Sequence, residues 1–103
     1  MAKRNAFTVI ARLLPDGQPM TIIGRDAWAL HQLSLAGATG CTPITNPGPR
    51  WSHYVFKLRG MGFDIETVTE SHEGQFAGHH ARYVLRSSIS LAINGEGEQK
   101  EAA

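Results

Sequence analysis

The alternation of apolar and polar positions changes from extended to helical spacing within the first third of the chain. Residues 7–14 are rich in apolar and β-branched side chains, and a turn signal at residues 15–18 precedes a second extended run at residues 20–23. From residue 24 to residue 36 the apolar side chains recur at helical spacing, and Gly37 follows as a helix stop. The pattern therefore predicts a β-hairpin followed by a central helix.

Residues 38–49 are expected to connect this helix to a second one. They contain two glycines and three prolines, which leave room for at most one short helical turn. Pro49 suits the first turn of a helix, because its missing N–H is no loss there. Asn46 or Thr45 can cap the preceding corner. A second helix is predicted over residues 49–59.

This second helix is predicted to have one apolar face and one cationic stripe, and to end at Gly60 or Gly62. At 100° per residue, its aromatic and aliphatic side chains occupy an arc of roughly 100°, and its cationic side chains lie within about 60° of one another. The apolar set is Trp51, Tyr54, Val55 and Leu58. The cationic set is Arg50, His53 and Lys57. One face should pack and the other should present positive charge.

After the second helix the alternation changes to period two. Residues 64–70 and residues 81–86 each alternate in this way, and residues 71–80, with two glycines, are the predicted connecting loop. If the two strands pair antiparallel, outward carboxylates lie across from outward guanidinium groups, and each such pair contributes about 0.2–1 kcal/mol. Residues 87–93 are expected to extend the second strand.

Length and composition indicate one small domain. With 103 residues and 42% hydrophobic content, the chain can bury a core without disulfides. We expect a single domain over residues 7–93, a flexible N-terminus at residues 1–6 and a disordered acidic tail at residues 94–103. The net charge of +1 reflects 10 Lys and Arg against 9 Asp and Glu, so any basic patch must arise from local arrangement.

Several function classes find no support in the sequence. The single cysteine, Cys41, cannot form an internal disulfide, and no window approaches the roughly 18 apolar residues of a membrane span. No paired metal-ligand spacing is present, and the adjacent His79 and His80 would point to opposite faces of a strand. No nucleophile signature surrounds Cys41. We therefore expect a cytoplasmic, non-enzymatic protein without metal, cofactor or membrane insertion.

Five short runs carry a family signature. They are GRDAWAL at residues 24–30, TPI at 42–44, PRWS at 49–52, YVFKLR at 54–59 and HARYVLR at 80–86. Together with the order of elements, these runs resemble the winged helix-turn-helix superfamily, and more closely small uncharacterised winged-helix proteins of bacteria and their phages. The resemblance covers about residues 24–86. It implies an α+β fold with an N-terminal β-hairpin, a small helical core and a C-terminal β-hairpin as the wing.

The resemblance also implies a function. In such domains the helix before the hairpin lies in the major groove, so the helix over residues 49–59 would bind double-stranded DNA and residues 71–80 would form the wing. Cations would attract phosphates, while shorter side chains would make hydrogen bonds. The predicted nucleic-acid-binding residues are Asn46, Arg50, Ser52, His53 and Lys57. A homodimer would multiply the few base pairs that one helix reads, as expected of a regulator of transcription or of a phage or mobile-element process.

A protein-interaction module on the same frame is the alternative. The net charge is near zero, and residues 66–80 include Glu70 and Glu73 but no Lys or Arg. An acidic hairpin is repelled by phosphates. Phe56, which falls outside the packing arc, and Phe76 in the predicted loop would then mark the partner surface.

Overall fold

The computed structural model of the chain describes residues 7–46, 50–72, 78–93 and 96–101. Predictions that concern residues 1–6, Pro49, Glu73 and Phe76 therefore lie outside the described residues. The elements in chain order are β1 (Thr8–Leu13), β2 (Met20–Ile23), α1 (Arg25–Ala36), a 3-10 turn (Gly37–Thr39), α2 (Trp51–Gly60), β3 (Ile65–His72), β4 (Gly78–Leu85), β5 (Ile89–Ile93) and β6 (Glu96–Glu101). Two helices thus lie between an N-terminal hairpin and the C-terminal strands.

The N-terminal hairpin belongs to a four-stranded antiparallel sheet with the strand order β2-β1-β5-β6. Strand β1 pairs with β2 on one side and with β5 on the other, so that Val9 lies opposite both Ile22 and Ile93. Its inward residues Val9 and Ala11 are fully buried. The predicted hairpin is confirmed.

The expectation that residues 87–93 extend the second strand of the C-terminal hairpin is wrong. The chain leaves β4 at Arg86, and β5 joins β1 in the other sheet. Ser87 Oγ accepts the Asp64 N–H at 2.8 Å, and the Ser88 carbonyl accepts the Leu14 N–H at 2.9 Å. The crossing places the apolar side chains of β5 in the core, where Ile89 is fully buried.

The C-terminal segment also differs from expectation. Glu96–Glu101 forms β6 and pairs antiparallel with β5, from Ile93 opposite Glu96 to Ile89 opposite Glu101. Composition favoured disorder at residues 94–103, because the segment is glycine-rich and acidic. Composition does not show that one edge of β5 has unpaired backbone N–H and C=O groups. A further strand can form hydrogen bonds with these groups.

Helix α1 confirms the predicted central helix. Its buried positions are Ala27, Ala29, Leu30, Leu33 and Ser34. Gly37 caps its C-terminus with a positive φ of 56°, and the Gly37 N–H donates to the Leu33 carbonyl. Only part of the remaining surface is covered: Trp28 is half-buried, whereas Leu35 is 60% exposed.

The corner between the helices is fixed by two local arrangements. Cys41 and Tyr83 exchange two backbone hydrogen bonds of 2.8 Å, which add a one-residue bridge to the edge of β4. Thr42 Oγ1 accepts the N–H groups of Ile44 and Thr45 at 3.1 and 2.9 Å. Of the two predicted capping residues, Thr45 takes part, because its Oγ1 accepts the Thr42 N–H at 3.4 Å. The Asn46 side chain contacts Thr45 Oγ1 and Gln32 Oε1 and, among the described residues, caps no backbone N–H of the corner.

The C-terminal hairpin pairs β3 with β4 from Ile65 opposite Leu85 to His72 opposite Gly78. The strands extend further than predicted, and only residues 73–77 separate them, so the predicted loop over residues 71–80 is too long. Backbone pairing continues across both predicted ends, through Ser71 opposite His79 and His72 opposite Gly78, whereas glycine content favours a wider loop.

Candidate nucleic-acid interface

A cluster of four aromatic side chains fixes the orientation of α2. Trp51 stacks on Tyr83 with ring centroids 6.0 Å apart, and its ring lies 5.4 Å from that of Trp28 on α1. Tyr54 contacts both tryptophans edge-on. The predicted packing face is confirmed, because Trp51, Tyr54, Val55 and Leu58 are all buried. The opposite face of α2 must therefore point outward.

The outward face of α2 has an aromatic centre. Its exposed side chains are Arg50, Ser52, His53, Phe56, Lys57 and Arg59. Phe56 is 73% exposed. Ser52 and His53 precede Phe56 by four and three residues, so they are its neighbours on the helix surface. Cations border this centre on both sides.

Arg50 is the N-cap residue of α2 and lies at one end of the outward face. The helix starts slightly later than predicted, with Trp51 as its first residue. The Arg50 carbonyl accepts the N–H groups of His53 and Tyr54 at 3.0 and 3.1 Å, which fixes the Arg50 backbone. Within the described residues, no carboxylate lies within salt-bridge distance of the exposed Arg50 guanidinium.

Lys57 forms an ion pair with a residue of α1. Its Nζ lies 3.1 Å from Asp26 Oδ2 in the first turn of α1, and 47% of the Lys57 side chain is exposed against 14% of the Asp26 side chain. The predicted cationic stripe is therefore partly neutralised within the protein. Periodicity along α2 could not show this pair, because the carboxylate comes from a different helix.

Asn46 is positioned differently from the other predicted contact residues. Its Nδ2 donates to Gln32 Oε1 at 3.3 Å, and its Oδ1 accepts the Thr45 hydroxyl at 2.8 Å. Its carbonyl accepts the Trp51 indole N–H at 2.6 Å. The structure therefore places Arg50, Ser52, His53 and Lys57 on one surface, whereas Asn46 joins α1, the corner and α2.

Two further cations border α2 that the sequence reasoning did not select. The Arg25 guanidinium lies 5.3 Å from the centroid of the Trp28 ring, which in turn contacts the α2 aromatics. Arg59 donates to the Ile65 carbonyl through Nε at 3.1 Å and Nη2 at 2.6 Å, and Nη2 also donates to Thr67 Oγ1 at 2.8 Å. Arg25 and Trp28 are three residues apart on a helix, and this spacing could have predicted the contact of Arg25 with the Trp28 ring.

The outer face of the β3–β4 hairpin carries charges that are already paired. Arg86 donates to Glu66 at 2.6 Å, and Arg82 binds Glu70 through two guanidinium nitrogens. His80 Nε2 also lies 3.1 Å from Glu70 Oε1. The predicted cross-strand pairs are confirmed. The hydrogen bond from Arg82 holds the pKa of Glu70 below its ordinary value, and His80 acts in the same direction, while desolvation opposes them.

Cys41 lies in an environment that suppresses thiolate formation. It is fully buried, and burial raises the pKa of its thiol to about 11, although Arg82 acts in the opposite direction. A reactive cysteine requires the opposite shift. Among the described residues, no group of three or more potential metal ligands occurs. No helix in the described part of the chain is long and apolar enough to cross a membrane.

Comparison with known families decides the assignment. A family model described as a winged helix domain matches residues 19–95, which include both helices and every strand from β2 to β5. The chain belongs to the winged helix domain family. The α+β fold agrees with this family, whose members are in general DNA-binding, non-enzymatic modules. No curated protein and no solved structure gives a significant match. In this winged helix domain, α2 is the helix that directly precedes the hairpin.

Proposed function

We propose that this winged helix domain binds double-stranded DNA by placing the outward face of α2 in the major groove. The observation that supports the proposal is the anchoring of α2 through its buried aromatic face, which leaves Arg50, Ser52, His53 and Phe56 exposed together. An α-helix is about 10–12 Å across with its side chains, so that α2, ten residues long, fits a major groove about 12 Å wide.

Each side chain would make the contact with DNA that its chemistry allows. Arg50 would contact a phosphate or a guanine, and Ser52 and His53 would hydrogen-bond to base edges or the backbone. Lys57 would exchange its contact with Asp26 for a phosphate. Asn46 would act through its contact with Trp51, by holding the start of α2, rather than by touching DNA.

The biological role we propose is regulation of transcription or of a phage or mobile-element process, with no catalytic step. One α2 reads few base pairs, so the proposal includes a homodimer that presents two such helices to DNA. The hairpin contributes little electrostatic attraction in this proposal, because Arg82 and Arg86 are neutralised by Glu70 and Glu66.

Duplex binding measured across salt concentration tests the proposal. If Arg50 contacts a phosphate, and Lys57 and Arg59 exchange their contacts with Asp26 and Ile65 for phosphates, about three phosphates are neutralised. A fourfold rise in salt then lowers the affinity about 40-fold. Arg50→Ala should reduce this loss to about 12-fold. Arg86→Ala is the matched control, because it removes a paired cation from the hairpin and should leave the salt dependence unchanged. Absence of binding to a random-sequence duplex pool at low salt would contradict the proposal.

The second candidate function is a protein-interaction module on the same scaffold. It is favoured by the 73% exposure of Phe56 and by the internal pairing of the hairpin charges. This candidate predicts no salt-dependent binding to duplex DNA, so the same measurement separates the two functions.

A further inference from the structure

Phe56 has the most unusual environment on the outward face of α2. The packing arc of the helix is filled by Trp51 and the other three buried side chains, and Phe56 points away from them with 73% of its surface exposed. Gly60 follows four residues later, and a Cβ added there would meet no other atom within 4 Å. Gly60 has no side chain to cover the ring on that side, which leaves the phenyl group accessible to a partner.

The surroundings of the ring favour a polyanionic partner over an apolar one. Ser52 and His53 lie beside Phe56 on the helix surface, and both are exposed. Lys57 and Arg59 border the same face on its two sides, toward α1 and toward β3. An apolar protein groove would have to desolvate these groups, whereas nucleic acid offers them phosphates and base edges.

Base edges in the major groove present one apolar group, the C5-methyl of thymine. Phenylalanine is one of the side chains suited to contact it. We propose that Phe56 determines sequence specificity by packing its ring against the C5-methyl group of a thymine. This inference rests on the proposed DNA binding, and adds to it a preference for thymine opposite the centre of α2.

Replacement of thymine by uracil provides a direct test, because dU differs from dT only by the missing methyl group. A duplex enriched from a random pool by the full chain is prepared with each dT replaced in turn by dU. We expect one or two of these replacements to weaken binding about three- to fivefold, the effect of one buried apolar carbon. The same replacements of dT by dU should have no effect on duplex binding by the Phe56→Ala variant.

Two further variants control for indirect effects. Phe56→Leu keeps an apolar side chain and should retain part of the sensitivity to dU. Ser52→Ala removes a neighbouring hydroxyl and should keep the full sensitivity, even if its overall affinity is lower. Because both positions are exposed, circular dichroism should show unchanged folding.

The outcomes separate this inference from the proposal beneath it. Failure to enrich any duplex would overturn DNA binding itself, and a protein partner for Phe56 would then be the better account. Duplex binding that is insensitive to dU, or equally sensitive in the wild type and Phe56→Ala, would overturn the role of Phe56 while leaving DNA binding in place.

Discussion

Lys57 Nζ lies 3.1 Å from Asp26 Oδ2, so the outward face of α2 is joined to the first turn of α1 by an ion pair. Such a partly exposed pair contributes about 0–1 kcal/mol to stability. Its larger consequence is electrostatic, because the Asp26 carboxylate competes with any phosphate for Lys57. Asp26 also lies in the first turn of α1, where the helix dipole and a negative charge attract each other.

Removal of this carboxylate should therefore strengthen DNA binding. Asp26→Asn is expected to raise duplex affinity severalfold and to steepen the salt dependence, because Lys57 becomes available to one more phosphate. The free energy of unfolding should fall by about 0.5–1.5 kcal/mol. Asp16→Asn is the control, since Asp16 is an exposed carboxylate near the tip of the N-terminal hairpin. Equal effects of the two substitutions on affinity would contradict the competition.

Gly40 should tolerate no side chain. Its φ is +77°, and an added Cβ would lie 2.6 Å from the Tyr83 carbonyl oxygen, a backbone atom of β4. Gly40→Ala is therefore expected to lower the free energy of unfolding by about 3 kcal/mol, from backbone strain and overpacking together. Gly37→Ala is the matched control, because its φ is +56° but the space around it is open. Gly37→Ala should lower the free energy of unfolding through backbone strain alone, by about 1–2 kcal/mol. Urea denaturation compares them, and equal losses would contradict the close approach to Tyr83.

Glu70 should make the fold sensitive to acid. The Arg82 hydrogen bond lowers the pKa of Glu70 in the folded state, so the unfolded chain takes up the proton first as the pH falls. The stabilisation is complete above the ordinary glutamate pKa of about 4.3 and is lost as the pH falls through the lower folded value. Glu70→Gln should lower the melting temperature at neutral pH and reduce its further decline in acid. Glu66→Gln, at a more exposed pair with Arg86, should have the smaller effect on both.

Cys41 should react slowly with thiol reagents in the folded protein. Its burial blocks access, and its pKa of about 11 leaves little thiolate at neutral pH. Alkylation by iodoacetamide, followed by mass spectrometry, should be slow in buffer and fast in denaturant. Rapid alkylation of the folded chain would contradict the buried bridge between Cys41 and Tyr83.

Local pattern was sufficient to predict the elements that carry the proposed site. Helical spacing identified the buried face of α2 with Trp51 and Leu58, and period two identified the cross-strand pair of Glu66 and Arg86. Both signals arise within a few residues of chain, or from two strands joined by a short loop. The exposure of Phe56 followed from the same helical spacing.

Interactions between distant segments could not be predicted in this way. The transfer of β5 to the edge of β1 depends on which strand has unpaired backbone groups in the folded chain, and the contact of Lys57 with Asp26 depends on how the two helices cross. Thr42 was overlooked because the corner that it caps lies between two prolines rather than at the start of a regular helix. These features can be predicted only once the tertiary arrangement is known.

The most direct test of the account is a map of the surface that contacts DNA. Titration of the isotopically labelled chain with a duplex, followed by backbone amide chemical shifts, should give the largest changes at residues 50–60 and in the indole signal of Trp28 beside Arg25. Amides of β1, β2 and β5 should change little. Changes confined to those strands, or no change at low salt, would contradict the claim that α2 binds DNA.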